Sequence, residues 1–340
     1  MVNDQMVNEL MVNDKMVNWF RLVRWKNLLF LAITMYALQR LVIVPLMYDF
    51  GFAPSDLFGG LTLMLLIVSV VLIAAGGYVI NDYFDIKIDA INNPDNQIVS
   101  KDIPREKAIR CYQILTVCGA VTGIAAAVLL RSWMIGILIV FEAGLLWFYS
   151  SSYKRMLIVG NLIVAVSTAL VPLIIAMANV AFLELRYTDL LYQTPIVPVL
   201  YRWMSGFALF AFLMTFTREI IKDLEDQVGD RELECHTIPV VLGDVWSKVI
   251  VVLLMAATIA LLAVAYFSWI PFSTAWGSAN ANYMICFAVL WIVMLIMFVR
   301  SHRAAEYAVS STMMKILMGW GMVYTIIFYI QKCQEIGAII

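Results

Sequence analysis

Nine stretches of mostly apolar residues, most of them long enough to cross a membrane as helices, constrain this 340-residue chain more than any other feature. A helix of about 20 apolar residues crosses the hydrocarbon core of a bilayer. The stretches cover residues 28–48, 57–80, 109–130, 133–149, 157–180, 203–221, 246–268, 284–300 and 312–331. Only 14% of the residues are charged and the mean hydropathy is +0.88, values outside the range of soluble domains. We therefore predict an all-α, polytopic membrane protein, a bundle of about nine transmembrane helices with cytoplasmic loop caps.

The distribution of basic residues indicates how the chain is oriented. If the chain has nine spans, alternate loops share one side, and that side receives basic groups such as Arg21, Arg24 and Lys26 before the first span. Cytoplasmic loops carry an excess of Lys and Arg, so these loops are predicted to be cytoplasmic. We expect an integral protein of the plasma membrane with its active site toward the cytoplasm. The formal net charge of −1 does not suggest nucleic acid as a partner, and no obligate protein partner is evident.

The amino-terminal segment differs in composition from the rest of the chain. The sequence "MVNDQMVNELMVNDKMVNWF" repeats Met-Val-Asn at five-residue intervals, which is not a helical, heptad or solenoid period. We interpret residues 1–19 as a low-complexity head and residues 20–340 as a single intramembrane domain. The five cysteines are scattered without metal-ligand spacing, which predicts neither a zinc site nor a disulfide framework.

Two acidic stripes follow apolar spans on the same predicted side of the membrane. The first lies in "YVINDYFDIKIDAINNPDNQ", where polar residues recur at helical spacing as Asn81, Asp82, Asp85 and Asp89. The second lies in "REIIKDLEDQVGD" and comprises Glu219, Asp223, Asp226 and Asp230. Residues three or four apart share one face of a helix, so each set is expected to project into one sector.

Like charges at this spacing repel one another, and near a membrane boundary they are poorly solvated, so bound cations would stabilise them. Ligand sets that contain oxygen but no His or Cys suit Mg²⁺, which commonly binds a few carboxylates together with substrate phosphates. The stripes therefore predict Mg²⁺ as a cofactor that holds a phosphorylated ligand. The alternative is two solvated helix ends whose charge is balanced by nearby residues such as Lys87, Lys222 and Arg231.

A diphosphate bound through Mg²⁺ would also need basic side chains to balance its remaining charge. Candidates on the same predicted side are Arg24, Lys26, Lys154, Arg155, Arg218 and Lys222. Lys154 is favoured because Tyr149 and Tyr153 flank it at the end of a span. Each of these cations is equally expected as a marker of topology.

At these residues the sequence resembles the UbiA superfamily of intramembrane prenyltransferases. The family motif NDxxDxxxD matches Asn81 to Asp89, and a second motif of the DxxDxxxD kind matches Asp223 to Asp230. The family's YSxxxK segment, its Gly-Asn pair and its T-P-V-x-L-G segment recur in order as Tyr149, Ser150, Lys154, Gly160, Asn161, Thr237, Pro239, Val240, Leu242 and Gly243. The chain departs from the family in "RWKN", where Trp25 replaces the usual proline while Arg24 and Asn27 remain, and in Asn96-Gln97, where the family usually has Arg-Pro.

The resemblance implies a fold of nine helices and a set of site residues. Mg²⁺ ligands would be Asn81, Asp82, Asp85, Asp89, Asp223, Asp226 and Asp230. The implied catalytic residues are Asp85, Asp223, Lys154 and Glu219, the last as a base or a further metal ligand. Substrate-binding residues would be Arg24, Asn27, Tyr149, Lys154, Arg218 and Lys222.

The implied activity is Mg²⁺-dependent transfer of a polyprenyl group from its diphosphate to a small acceptor. The "REIIKDLEDQVGD" segment is most similar to the branch that transfers geranylgeranyl groups to geranylgeranylglyceryl phosphate, forming an ether lipid. An aromatic quinone precursor (a hydroxybenzoate, dihydroxynaphthoate or homogentisate) is the alternative acceptor. A divalent-cation transporter is a remote alternative, since such proteins place acidic residues near the bilayer midplane and Glu142 is the only one well inside a predicted span. Intramembrane aspartyl proteases and CDP-alcohol phosphotransferases require motif orders that this sequence lacks.

Overall fold

The structure is a computed structural model that describes residues 16–52, 60–92, 94–95, 97–269 and 277–337. Most of the predicted head, residues 1–15, lies outside the described residues, as does Asn96. The helices are α1 (Trp25–Ala37), a π-helical segment (Leu38–Ile43), α2 (Val44–Asp49), α3 (Gly60–Phe84), α4 (Ile86–Asn92), α5 (Arg105–Leu129), α6 (Trp133–Ser151), α7 (Val159–Gln193), α8 (Ile196–Glu232), α9 (Ile238–Trp269), α10 (Gly277–Arg300) and α11 (Ala304–Ile336). No β-strand occurs in the described ranges, which hold one isolated bridge between Val99 and Ile103.

Nine membrane spans are found among the described residues, as the hydropathy pattern predicts. The first comprises α1, the π-helical segment and α2, and α3 and α5 to α11 supply the other eight. The prediction of an all-α integral membrane protein is therefore confirmed.

The helix of the predicted sixth span is longer than its apolar stretch. The predicted sixth span ends near residue 221, whereas α8 continues to Glu232 and leaves only residues 233–237 before α9. Ile220, Ile221 and Leu224 are buried on this extension, so apolar packing continues the helix after the average hydropathy has fallen. The second acidic stripe is consequently held on a rigid helix rather than in a loop.

One compact unit of the described chain comprises residues 16–33 and 60–154. Within it α3, α5 and α6 pack closely because small residues occupy the helix contacts. A Cβ atom on Gly123 would clash with Ser69 and with Ile139, and the Ser69 hydroxyl donates to the Gly119 carbonyl at 2.7 Å. This packing fixes α3, α5 and α6 relative to one another.

The second unit comprises residues 34–52, 155–269 and 277–337. Here α8 packs against α7, α9 and α11, around buried apolar side chains that include Met214, Phe287 and Phe298. A pair of reciprocal hydrogen bonds, of 2.7 and 3.0 Å, joins the buried amides of Gln39 in the π-helical segment and Asn179 in α7. Two reciprocal bonds satisfy amide groups that would otherwise be costly to bury in a membrane.

Two spans carry local breaks in helical geometry. Tyr187 interrupts α7, with φ −138° and ψ 41°. Gly243 interrupts α9, with φ +77°, a left-handed value that favours glycine over any residue with a Cβ atom. The short helical segment before Gly243 and the span after it are therefore separated by a kink, which the glycine permits.

Candidate active site

The first acidic motif lies where α3 gives way to α4. Asn81 lies on the last turn of α3, Asp85 occupies the single residue between the helices, and Asp89 lies in the first turn of α4. The helical register nevertheless continues, because the Asp85 N–H donates to the Asn81 carbonyl at 2.9 Å and the Asp89 N–H donates to the Asp85 carbonyl at 2.8 Å. Asn81 and Asp85 are buried, whereas Asp82 and Asp89 are half-buried. The predicted stripe is present, with one break at its centre.

Polar partners hold the Asp85 carboxylate from two directions. The Asn81 amide donates to Asp85 Oδ2 at 2.7 Å, and the Lys154 ammonium, from the short helical turn Tyr153–Arg155 after α6, forms an ion pair with the same oxygen. The Asp85 side chain is 7% exposed and that of Lys154 is 25% exposed. A carboxylate this buried requires such compensation to remain charged. Lys154 therefore lies beside the first acidic motif, and its role in binding substrate stays a prediction.

Arg24 forms a corresponding ion pair with Asp82. Its guanidinium donates to Asp82 Oδ1 at 2.9 Å and lies over the Tyr78 ring, 4.8 Å from the centroid. Burial lowers the pKa of Arg24, but the charge of Asp82 and then the nearby Tyr78, Asp85 and Tyr149 outweigh burial, and the net shift is upward. The arginine therefore stays charged at any physiological pH.

Two further predicted residues belong to the same cluster. Asn27 donates to the Tyr78 hydroxyl at 3.4 Å, and Tyr149 lies near enough to Arg24 to interact with its charge. The backbone of Arg24 is left-handed, with φ 53°, an uncommon state for a residue with a side chain. Such a conformation at a charged cluster is typical of functional sites, where surrounding contacts impose it.

The second acidic motif, which belongs to the other unit, is carried by α8. Asp223 Oδ2 accepts a hydrogen bond of 2.7 Å from the amide of Asn161, in the first turn of α7. Asp230 Oδ2 accepts a bond of 3.0 Å from the Thr237 hydroxyl, and Asp230 and Thr237 are both buried. Each of these two carboxylates thus accepts a hydrogen bond from a neutral donor.

The remaining predicted residues of this motif surround Asp223 on α8. Arg218 forms an ion pair of 2.6 Å with its neighbour Glu219, and each is less than one fifth exposed. Lys222 and Asp226 are half-buried. Asn161 and Thr237 entered the sequence comparison only as parts of family segments, and their roles as donors to Asp223 and Asp230 were missed. A single polar residue at the start of an apolar span was the signal that could have identified Asn161.

The residues present fit Mg²⁺ through the chemistry of their donors. All the candidate ligands offer oxygen, and Asn81 Oδ1 is a buried acceptor with no hydrogen-bond partner among the described residues. No three Asp, Glu, His or Cys side chains in the described ranges converge into a complete metal cage. Mg²⁺ commonly binds one or two carboxylates together with waters and substrate phosphates, so it is the oxygen chemistry of these donors that fits it.

Comparison with known proteins identifies the family to which these motifs belong. A model of the UbiA prenyltransferase family matches residues 41–325. The chain belongs to this family. Digeranylgeranylglyceryl phosphate synthase of Ignicoccus hospitalis is 34% identical over 193 residues, which cover 57% of this chain and 58% of the relative. The match therefore spans less than two thirds of that curated UbiA-type relative.

Solved structures of UbiA-type proteins have the same fold. A structure of digeranylgeranylglyceryl phosphate synthase gives a TM-score of 0.59 at 23% identity, over 94% of this chain and 99% of that chain. A UbiA homologue from Archaeoglobus fulgidus bound to GPP and Mg²⁺ gives a TM-score of 0.52 at 14% identity, over 90% and 98% of the two chains. At these identities the comparison supports the nine-helix UbiA fold alone.

Proposed function

We propose that this protein transfers a geranylgeranyl group from its diphosphate to geranylgeranylglyceryl phosphate, in a reaction that requires Mg²⁺. The observation that carries the proposal is the pair of aspartates, Asp82 and Asp85, held by Arg24 and Lys154 at the end of a span. The choice of acceptor is supported by similarity to curated relatives named digeranylgeranylglyceryl phosphate synthase. The requirement for Mg²⁺ is supported by the UbiA homologue bound to GPP and Mg²⁺.

In this proposal each motif contributes oxygen ligands for Mg²⁺. Mg²⁺ would be held by Asn81, Asp82, Asp85, Asp89, Asp223, Asp226 and Asp230. When bound, it would neutralise the diphosphate and make it a better leaving group. Arg24 and Lys154 already lie beside acidic oxygens, and with Arg218 and Lys222 they would bind phosphate oxygens through charge-assisted hydrogen bonds. Asn27 and Tyr149 would orient Arg24 through the Tyr78 cluster.

The chain's own residues would then control the reaction around the allylic carbon. The bond from that carbon to the diphosphate breaks, and the acceptor hydroxyl oxygen forms the new ether bond. We propose Glu219 as the group that accepts the hydroxyl proton, since it is a half-buried carboxylate one turn from Asp223 on the same face of α8. The membrane spans would exclude water, which would otherwise capture the allylic group.

The site is proposed to face the cytoplasm of a cell bounded by the plasma membrane. The support is the excess of Lys and Arg near the acidic ends of the spans. Such an orientation would give the acidic motifs access to soluble Mg²⁺ and to diphosphates made in the cytoplasm.

The decisive experiment supplies purified protein with labelled geranylgeranyl diphosphate, Mg²⁺ and one acceptor at a time. We expect an ether-lipid product with geranylgeranylglyceryl phosphate and its loss with EDTA. Asp85→Ala and Asp223→Ala should each abolish turnover, while Asp102→Ala, an exposed acidic residue outside both motifs, should retain it. Turnover only with an aromatic acceptor would overturn the choice of acceptor, and near-normal turnover in both motif variants would overturn the proposed site.

A further inference from the structure

A cavity lies among α8, α9, α10 and α11, within the second unit. Its volume is about 110 Å³, and its lining is almost entirely aromatic or aliphatic. Trp203 and Phe210 of α8, Trp269 of α9 and Tyr283 of α10 supply much of the surface. Trp203 and Trp269 are half-buried, so this part of the cavity lies near the outer surface of these helices.

This cavity is separate from the acidic motif on the same helix. Phe210 and Glu219 are nine residues apart, which at 100° per residue places them about 180° apart around α8. Trp203 precedes Asp223 by 20 residues, which is about 30 Å along the helix axis. The cavity therefore lies on the opposite face of α8 and toward its opposite end, in the half of the membrane away from the proposed diphosphate site.

A glycine makes room for one aromatic ring of the lining, and a hydrogen bond occupies the hydroxyl of one lining tyrosine. A Cβ atom on Gly206 would lie 2.8 Å from the Trp269 ring, so glycine lets that ring occupy its place in the lining. The Tyr283 hydroxyl donates to the Trp320 carbonyl at 2.9 Å, which leaves the tyrosine ring as the surface that a ligand would contact. The interior offers dispersion contacts and little else.

A cation lies at the edge of this apolar surface. The Arg202 guanidinium lies over the Trp269 ring, 5.2 Å from its centroid, and the Arg202 side chain is exposed. Arg202 is in the second turn of α8, near the end of the span that is remote from Asp223. An apolar cavity beside an exposed guanidinium at a membrane boundary complements an amphiphile with an anionic head and a hydrocarbon tail.

We propose that this cavity is a lipid site, which takes the end of one hydrocarbon chain of an anionic phospholipid while Arg202 binds the headgroup phosphate. The bilayer supplies this ligand at high concentration around every span. The volume is somewhat below the roughly 150 Å³ of a cavity that accepts benzene, which fits a chain end rather than a folded ligand. The phosphate comes from the leaflet opposite the acidic motifs, so the ligand is a structural lipid and not the prenyl donor.

The test is native mass spectrometry of the delipidated full-length protein, titrated with phosphatidylglycerol or phosphatidylcholine. Wild type is expected to retain one phosphatidylglycerol more strongly than phosphatidylcholine. Arg202→Gln should weaken phosphatidylglycerol binding about fivefold and leave phosphatidylcholine binding unchanged, because one interfacial charge is lost. Ala265→Phe, which fills the lining on α9, should weaken binding of both lipids.

Matched variants separate this site from nonspecific lipid binding. Arg186→Gln removes an exposed arginine of α7, and Ala256→Phe enlarges an exposed alanine of α9; both should bind lipid as wild type does. Equal retention of the two lipids by wild type, or equal loss in the test and control variants, would overturn the proposal. Displacement of the lipid by geranylgeranyl diphosphate would also overturn it. If Ala265→Phe fails to insert, the exposed Arg202→Gln substitution still decides the result.

Discussion

The hydrogen bond from Asn161 to Asp223 provides a direct test of the proposed binding of Mg²⁺ at the second motif. Asn161 is 7% exposed, and its amide is the donor that holds Asp223 Oδ2 at 2.7 Å. A hydrogen bond to a charged group contributes about 1.5–3 kcal/mol. Asn161→Leu keeps the volume and removes the donor, so Asp223 loses its fixed orientation. Each 1.4 kcal/mol is a factor of about ten, and loss of such an outer contact commonly weakens metal binding about 10–100-fold.

The assay is prenyl transfer measured over a range of Mg²⁺ concentrations. In Asn161→Leu the Mg²⁺ concentration at half-maximal activity should rise about 10–100-fold, with a smaller fall in the rate at saturating Mg²⁺. Asn280→Leu is the matched control, because Asn280 is a fully buried asparagine on α10 outside both motifs. A lower melting temperature in Asn161→Leu with an unchanged Mg²⁺ dependence would refute the reasoning, since it would make the bond purely structural.

Three further substitutions test the surrounding structure. Lys154→Met should lower kcat/KM at least 100-fold and also lower thermal stability, because Asp85 loses its ion-pair partner. The double variant Lys154→Met/Asp85→Asn should regain thermal stability but not activity, as measured by thermal unfolding and turnover. Gly123→Leu should destabilise the protein by about 1–3 kcal/mol through overpacking, whereas Gly144→Leu, where an added Cβ atom has open space, should not. Gly243→Ala, at φ 77° and ψ 169°, should lower the melting temperature through about 1–3 kcal/mol of backbone strain, and an unchanged value would contradict the argument.

Hydropathy alone was sufficient to predict the nine spans, because a membrane span needs a length of apolar residues that little else in a sequence imitates. It could not predict where the helices end. The extension of α8 to Glu232 depends on Leu224 and its neighbours packing inside the protein, and a window average dominated by charged residues hides that contribution. The break at Asp85 was also not predicted, since the spacing of the motif is helical on both sides of it.

The residues of the first motif were predictable because charge and spacing both draw attention to them. Their partners were less predictable: Lys154 is 69 positions from Asp85, and the local indications of its role were its neighbouring tyrosines and its place in the YSxxxK segment. Asn161 and Thr237 carry no charge, so nothing in composition separates them from other polar residues of a span. The contacts that join such residues to the acidic motifs form only when the helices pack.

The difference between the partners of the two motifs suggests a division of work in the proposed reaction. Arg24 and Lys154 each pair with one carboxylate oxygen, of Asp82 and of Asp85, so these cations lie beside the proposed metal ligands, where they could also bind a phosphate. Neutral donors hold Asp223 and leave its charge uncompensated by a direct ion pair in the structure described. In the proposed reaction the first motif would therefore bring its own phosphate-binding cations, whereas the second motif would offer the metal a carboxylate oriented by an amide.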